Sequence, residues 1–196
     1  AKVNLGLHVL SKREDGFHEL ETFFQMVNWC DEIKIECLSR GLELVCNQPD
    51  IPTDDGNLVI KAAHILQTRY PVRCKGAKIH LNKNIPHGAG LGGGSGNAAG
   101  VLLGLNFLWG LNLKREDVIS MAAELGSDVP FFLFSPCAIG RGRGEILEPV
   151  KNSIRFYILM VYPGFSVPTA SVYGNLKLKL TKAENNISIL KNFLLK

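Results

Sequence analysis

Residues 85–99 form a glycine-rich run that constrains the fold more than any other stretch of the chain. They read Ile-Pro-His-Gly-Ala-Gly-Leu-Gly-Gly-Gly-Ser-Gly-Asn-Ala-Ala. Glycine has no Cβ and adopts positive φ without strain, so successive N–H groups can turn inward around an anion. The run therefore predicts an anion-binding loop whose backbone approaches its ligand closely.

The segments on either side predict a strand before the loop and a helix after it. Residues 77–82 alternate apolar and polar side chains, and residues 97–111 carry alanine and leucine at helical spacing. We expect Asn97 to cap this helix. A strand, a glycine loop and a helix start together direct free N–H groups and the positive end of a helix dipole at a phosphate.

Other glycine-loop families fit these letters less well. A Walker loop ends in lysine and serine or threonine, and residues 85–99 contain no lysine. The glycines within 88–93 match the dinucleotide pattern G-x-G-x-x-G, but the acidic residues at 116–117 open a predicted helix where that pattern requires a second strand to end. A protein-kinase loop would have valine where Ser95 stands. A plain surface loop remains an alternative.

Composition limits the classes of partner. The chain has 196 residues, of which 46% are hydrophobic, and can hold one or two domains. Its net charge of +4 suits a phosphorylated small molecule but falls short of a nucleic-acid footprint, so no nucleic-acid partner is expected. No apolar run approaches the roughly 18 residues of a membrane span, and no signal peptide is visible.

The five cysteines contain no C-x-x-C pair. An odd number without that spacing predicts reduced, mostly buried thiols and a cytoplasmic location. A plastid location stays open if a transit peptide precedes the chain.

Hydrophobic periodicity predicts an α+β fold, because the strands fall in two groups instead of alternating regularly with helices. Alternation within residues 2–9 places Lys2 and Asn4 on one face, opposite a half-buried Val/Leu face. Residues 126–130 are expected to start a helix, and 137–144 to form a turn region before a hairpin that closes at 145–150. The other predicted strands are 17–29, 32–38, 42–46 and 155–162, and the other helices are 57–70, 114–125, 172–180 and 186–195.

The loop pattern P-x-G-A-G-L-G-G-G-S-x-N-A-A resembles the phosphate loop of the GHMP kinases, a family of small-molecule ATP kinases. Four further stretches match in family order, at residues 1–5, 15–20, 126–132 and 167–169. The resemblance implies an α+β, two-domain fold. A ribosomal-protein-S5-domain-2-like ATP-binding domain would span 1–150, and a ferredoxin-like C-terminal domain, cut short here, would begin in 151–196.

The resemblance also implies an activity. ATP, with Mg²⁺, would phosphorylate the 2-hydroxyl of 4-diphosphocytidyl-2-C-methyl-D-erythritol, a small-molecule substrate of the non-mevalonate isoprenoid pathway. The motif at 15–18 together with that at 126–130 disfavours homoserine, mevalonate and galactose kinases. The alternatives are nevertheless another small-molecule kinase of this family and a catalytically silent nucleotide-binding fragment.

The resemblance assigns the catalytic roles to Lys2 and Asp128. On sequence alone, Asp128 is more simply a helix cap and Lys2 a solvated lysine. The family match makes Asp128 the base that deprotonates the hydroxyl and Lys2 the cation that stabilises developing charge. We therefore expect Lys2 Nζ to lie roughly 3–6 Å from the Asp128 carboxylate, facing the glycine loop.

Further residues are assigned to the two ligands by the same resemblance. Phe17 would stack on cytosine, with a core aromatic as the alternative, and His18 would orient the base. The substrate set is Asn4, Phe17, His18, Thr169 and Tyr173. The nucleotide set is Pro86, His87, Gly88, Ala89, Gly90, Leu91, Gly92, Gly93, Gly94, Ser95, Gly96, Asn57, Leu58 and Lys83.

The sequence departs from the family pattern at one loop position and leaves the metal unassigned. Gly96 stands where the family has a second serine, so one hydroxyl that could contact phosphate or metal is missing. Lys83 could equally be a surface lysine. No acidic pair identifies a Mg²⁺ ligand.

Overall fold

Two separate β-sheets and a set of packed helices make up the described part of the chain. The computed structural model describes residues 1–71, 73, 75–151, 156–165, 172, 187 and 190–192. In chain order the elements are β1 (Lys2–Lys12), β2 (His18–Met26), β3 (Glu32–Leu38), β4 (Leu42–Cys46), α1 (Leu58–Arg69), β5 (Gly76–Asn82), α2 (Gly93–Leu108), α3 (Arg115–Leu125), α4 (Val129–Phe134), β6 (Cys137–Gly142) and β7 (Ile146–Pro149).

The first sheet has the strand order β1-β2-β6-β7 and is antiparallel throughout. The second has the order β3-β5-β4, with β3 antiparallel and β4 parallel to β5. Helix α1 connects β4 to β5, as a parallel pair requires. The α+β prediction is confirmed, because the strands do separate into two groups.

The larger core lies between the second sheet and helices α1, α2 and α3. Ile79 of β5, Leu66 of α1, Leu102 of α2 and Met121 of α3 are all fully buried in it. A smaller cluster on the first sheet includes Phe23, Ile139 and Ile187. The rings of Phe24 in β2 and Phe131 in α4 have centroids 4.9 Å apart. This contact packs α4 against the first sheet.

Helix α2 begins earlier than predicted, and Asn97 is not its cap. The chain enters the helix through Gly92 in a left-handed conformation at φ 67°, and the first helical residue is Gly93. Asn97 is buried inside the helix, and its side-chain amide donates to Asp31. Counting alanine and leucine missed a first turn built from glycine. At the other end, the left-handed Gly110 lies beyond the last helical residue, Leu108.

Strand β1 departs from simple alternation. Val3, Leu5 and Val9 are half-buried as predicted, but Leu7 is 44% exposed and Lys2 is buried at 6% exposure, so the predicted alternation holds only in part. The pairing with β2 shifts register between Asn4 and Gly6 and again between Val9 and Ser11. Each shift exchanges the faces on which the following side chains point.

Two predictions for the C-terminal third also change. Residues 137–142 form strand β6 instead of a turn, although the predicted hairpin with β7 is confirmed. Residues 156–162, predicted as part of a strand, form none and are mostly exposed. The helices predicted at 172–180 and 186–195 lie almost wholly outside the described residues.

The cysteines are less buried than predicted. Cys137 is buried, and its burial raises the pKa of the thiol to about 11. Cys30 and Cys37 are exposed, Cys46 is half-buried, and Cys74 lies outside the described residues. The described cysteines are all free thiols, in agreement with the prediction of a reduced state. No helix in the described ranges is long and apolar enough to cross a membrane.

One buried carboxylate joins the strand, the loop and the helix. The Asp31 side chain is fully buried and accepts hydrogen bonds from the backbone N–H groups of Asn84 and Ile85, at 2.7 and 2.8 Å. The side-chain amide of Asn97 donates to it at 2.9 Å, and the Lys83 ammonium forms an ion pair with it. Asp31 therefore fixes both the entry to the glycine loop and the helix that follows it.

This network predicts an acid-labile contribution to stability. Burial alone would raise the pKa of Asp31, but the hydrogen bonds from Ile85, Lys83, Asn84 and Asn97 hold it below its ordinary value of 3.8. The unfolded chain then binds this proton more readily, so the contribution is present above about pH 4 and is lost as pH falls through the folded-state pKa.

We expect Asp31→Asn to lower the free energy of unfolding by about 3–5 kcal/mol at pH 7, because it leaves the Lys83 ammonium buried and unpaired. The difference in free energy of unfolding between this variant and the wild type should become smaller below about pH 4. Urea unfolding between pH 2 and 7 measures it, with Asp50→Asn, at an exposed carboxylate, as the control. A pH-independent difference would contradict the linkage.

Candidate functional site

The glycine loop has the conformation that its composition predicts. Residues 86–92 connect β5 to α2, and Gly88, Gly90 and Gly92 take left-handed φ values of 69°, 73° and 67°. No side chain caps the start of α2, so the first-turn N–H groups of Gly93 to Ser95 have no side-chain partner. A loop of inward-turning amides followed by a helix N-terminus is suited to bind phosphate.

Lys2 lies directly beneath this loop. Its backbone N–H donates to the Leu91 carbonyl at 2.9 Å, which ties β1 to the loop. A Cβ placed on Gly92 would lie 3.1 and 3.2 Å from Cγ and Cε of Lys2, and 3.0 Å from the Phe132 ring. A larger residue at position 92 would therefore collide with the Lys2 side chain. The interpretation of Lys2 as a solvated lysine is wrong, because the residue is 6% exposed.

Lys2 and Asp128 form the pair that was predicted from two distant motifs. Lys2 Nζ lies 3.3 Å from Asp128 Oδ2 and 5.2 Å from the centroid of the Phe24 ring. The predicted proximity is confirmed, whereas the catalytic roles stay predictions. Asp128 precedes α4, but its side chain makes no capping hydrogen bond. The simpler interpretation as a helix cap is therefore not supported, and a partly exposed carboxylate is left beside a buried ammonium.

A chain of hydrogen bonds continues from Lys2 into the first sheet. Lys2 Nζ donates to Asn4 Oδ1 at 2.8 Å, and Asn4 Nδ2 donates to Thr22 Oγ1 at 2.6 Å. The Thr22 hydroxyl donates in turn to the Gly6 carbonyl at 2.9 Å. Lys2 and Asn4 do lie on the same side of β1, as predicted, and both side chains are held in place.

Phe17 lies at the surface, beside the end of the β1–β2 hairpin that is distant from Lys2. It is 51% exposed, so the alternative of a core aromatic is wrong. The guanidinium of Arg143 lies over one ring face, 4.8 Å from the centroid. Gly144 follows Arg143, and a Cβ on it would lie 4.0 Å from Asp128 Oδ1. The turn between β6 and β7 thus spans from Phe17 to Asp128. His18, which begins β2, is half-buried.

Two predicted nucleotide contacts begin helix α1. Asn57 caps it, because its side-chain oxygen accepts from the Val59 N–H at 2.9 Å while Nδ2 donates to the Pro52 carbonyl. Leu58 is the first helical residue, and a Cβ on Gly94 would lie 3.8 Å from its Cδ1. Asn57 thus has a structural role of its own, and Leu58 lies beside the first turn of α2.

Lys83 is not a surface lysine. It is 8% exposed, its ammonium pairs with Asp31, and Nζ would lie 3.1 Å from a Cβ on Gly93. Its side chain therefore supports the start of α2 from below. Contact with a nucleotide base stays a prediction for this residue.

The glycine at position 96 has a packing explanation. A Cβ there would lie 3.3 Å from Cε1 of the Phe132 ring, closer than ordinary contact. The Gly96 N–H donates to the Gly92 carbonyl at 2.8 Å and continues the helix. In this chain the missing hydroxyl coincides with a close approach between α2 and α4.

Sequence reasoning missed two residues of this region. Asp31 bonds Lys83 and Asn97, which are 52 and 66 positions away, so no local motif marks it. Thr22 is a β-branched residue in a strand, which is its commonest place. Thr169 and Tyr173 lie outside the described residues. Within the described ranges no group of three or more His, Cys, Asp or Glu side chains is arranged to hold a metal ion.

Comparison with known proteins agrees with this geometry. The model of the GHMP kinases N terminal domain matches residues 57–136. The 4-diphosphocytidyl-2-C-methyl-D-erythritol kinase of Chloroherpeton thalassium is 47% identical over 178 residues, which cover 90% of this chain and 62% of that protein. The chain thus spans about three fifths of the length of this curated relative.

Solved structures extend the comparison. A crystal structure of 4-(cytidine 5'-diphospho)-2C-methyl-D-erythritol kinase superposes with a TM-score of 0.79 at 36% identity, covering 99% of this chain and 69% of that one. Homoserine kinase from Cytophaga hutchinsonii, at 15% identity and a TM-score of 0.58, covers 98% and 63% and shares the fold alone. On the match of fold, loop and sequence, the chain belongs to the GHMP kinase family.

Proposed function

We propose that the protein carrying this chain transfers the γ-phosphoryl group of ATP to the 2-hydroxyl of 4-diphosphocytidyl-2-C-methyl-D-erythritol. The observation that carries the proposal is the Lys2–Asp128 pair, 3.3 Å apart beneath an anion-binding loop. A module that only bound a nucleotide would not need to bring these two residues together. The names of the similar proteins support the choice of substrate.

ATP fits the loop because three left-handed glycines and an uncapped helix start present N–H groups to its phosphates. The loop Pro86–Gly92 and the first turn Gly93–Gly96 would hold those phosphates, with Asn57, Leu58 and Lys83 as the proposed contacts of the adenine. Mg²⁺ keeps several waters and binds through substrate phosphates, so we propose that it arrives with ATP. No residue of this chain is assigned to it.

The residues at the pair divide the chemistry between them. The Asp128 carboxylate takes the proton of the substrate hydroxyl, and the hydroxyl oxygen bonds to the γ-phosphorus of ATP. At the same time the bond between the γ-phosphorus and the oxygen that bridges it to the β-phosphate breaks, and ADP leaves. The Lys2 ammonium lies where negative charge develops on the attacking oxygen. Asn4 holds Lys2 and contacts the substrate.

The surface around Phe17 is the proposed cytidine site. Phe17 offers an exposed ring for stacking, and His18 follows it to read the edge of the base. The turn through Arg143 and Gly144 connects the Phe17 ring to Asp128. The substrate would lie along this turn, with its base at Phe17 and its reacting hydroxyl at Asp128. Thr169 and Tyr173 stay proposed contacts of the same substrate.

The division into domains is likewise a proposal. We assign residues 1–150 to the ATP-binding domain and 151–196 to the beginning of a second one. Ile187 nevertheless packs with Phe23 and Val150 in the first-sheet cluster, so part of the later segment contacts the first domain. A cytoplasmic location also stays a proposal.

ADP release in a coupled assay tests the function directly. The full chain should release ADP with the cytidine diphosphate substrate and not with homoserine or mevalonate. Release with either of those alone would reassign the substrate within the family. ATP binding without release for any of the three would favour a silent binding module.

We predict that Asp128→Asn lowers kcat by about 100-fold or more while ATP still binds. The amide keeps the shape of the carboxylate but cannot accept the hydroxyl proton. Steady-state kinetics and an ATP titration measure both effects. Asp117→Asn, at an exposed aspartate in the first turn of α3, is the matched control. A near-normal kcat for Asp128→Asn would remove the base from the proposal.

We predict that Gly92→Ala and Gly90→Ala have different effects. Both positions have left-handed φ, so alanine strains the loop by about 1–2 kcal/mol and raises KM for ATP in each variant. The new methyl group would contact Lys2 only in Gly92→Ala, because a methyl group at position 90 would have no atom within 4 Å. Gly92→Ala should therefore also lower kcat about tenfold. Equal kcat values would show that the loop contact does not position Lys2.

We predict that Phe17→Ala weakens binding of the cytidine substrate by roughly 1–3 kcal/mol and leaves ATP affinity unchanged, because the ring stacks on the base and not on the nucleotide of the loop. Calorimetric titration with each ligand measures this. Phe107→Ala is the control, at an 88% exposed ring about 20 Å along α2 from its first residue. Loss of ATP binding alone would mean that the two sites are exchanged.

A further inference from the structure

We propose that Thr22 is a positioning residue for the Lys2–Asp128 pair and acts through the side-chain amide of Asn4. This inference rests on the proposed function, because it concerns the same reaction. Thr22 lies on β2, outside every motif of the sequence, and its hydroxyl bonds Asn4 and Gly6 and not Lys2 or Asp128.

The direction of each hydrogen bond is fixed at both ends of the chain, because the Lys2 ammonium can only donate and the Gly6 carbonyl can only accept. The Thr22 hydroxyl has one proton, which it donates to the Gly6 carbonyl at 2.9 Å. Its oxygen can then only accept, and it accepts from Asn4 Nδ2 at 2.6 Å. Asn4 must therefore turn its oxygen, not its NH₂ group, toward Lys2. That oxygen accepts from Lys2 Nζ at 2.8 Å.

The orientation of the amide matters for the ammonium. In the observed orientation, Lys2 Nζ lies between two acceptors, Asn4 Oδ1 and Asp128 Oδ2. A flipped amide would place its NH₂ group against the ammonium, and Lys2 would lose that acceptor and move. The oxygen and nitrogen of an asparagine amide are nearly equal in size, so packing alone does not select between the orientations, whereas the Lys2 ammonium on one side and the Thr22 hydroxyl on the other both favour the observed one.

Burial keeps water from replacing the hydroxyl. Thr22 is 1% exposed and Lys2 6% exposed, so solvent does not readily restore a hydrogen bond lost at either of these residues, although Asn4 between them is exposed. The register shift between Asn4 and Gly6 lies at the same point of β1, which places the accepting carbonyl next to Thr22. A displacement of about 1 Å at a reacting group can cost roughly 100-fold in rate.

A comparison of four residues at position 22 distinguishes the effect of the hydroxyl from the effect of side-chain volume. Threonine and serine carry the hydroxyl, whereas valine and alanine lack it; threonine and valine have similar volumes, whereas serine and alanine are smaller. We expect Thr22→Val and Thr22→Ala to lower kcat about tenfold or more, with KM for ATP within twofold of the wild type. Thr22→Ser should keep kcat within about threefold. Thr68→Val, at an exposed position of α1, is the control.

Thermal unfolding of the same proteins distinguishes positioning from general stability. Stability should be lowest for Thr22→Ala, which loses both the buried methyl group and the hydroxyl, whereas kcat should fall alike in Thr22→Val and Thr22→Ala. If kcat follows stability, or if Thr22→Val matches the wild type, the proposal is overturned. If Thr22→Val does not fold, the serine and alanine variants still make the comparison. An inactive wild type would instead refute the proposed function.

Discussion

The buried carboxylate of Asp31 is the interaction on which the glycine loop depends. A loop rich in glycine loses more conformational freedom on ordering than any other segment, so its ends must be held from outside. Asp31 holds the entry through the N–H groups of Asn84 and Ile85, and the exit through Asn97. Lys83 neutralises the charge that these contacts bury. The loop can then be open toward a ligand and still have one shape.

The fixed loop in turn places Lys2. Leu91 accepts from the Lys2 backbone, and Gly92 leaves just enough space for the lysine side chain. The same glycines that open the loop toward phosphate on one side therefore make room for the ammonium on the other. In the proposed reaction, phosphate binding and proton transfer would share one structural element, as suits a transfer that needs positioning and charge more than covalent chemistry.

Sequence reasoning predicted the features that depend on neighbouring residues. The strand, loop and helix around residues 76–108 and the α+β class follow from local periodicity and glycine spacing, and the Lys2–Asp128 proximity followed from the family resemblance. It failed where distant residues decide. Asn97 looked like a cap because its true partner, Asp31, is 66 positions away. The alternation in β1 is only partly correct because a register shift is a property of two paired strands, which one strand's letters do not contain.

The two networks, around Asp31 and around Thr22, solve the same physical problem in different ways. Each buries a polar group whose partners lie on another element and each satisfies its hydrogen bonds, since an unpaired buried group would cost more than the network gains. The Asp31 network uses charge and fixes the backbone of the loop. The Thr22 network consists of uncharged groups except for Lys2, and it fixes the orientation of the Asn4 amide. A buried ammonium with a directed acceptor on one side thus keeps another face toward Asp128, because the sheet below offers it the Phe24 ring, 5.2 Å away, and not a second carboxylate in the described contacts.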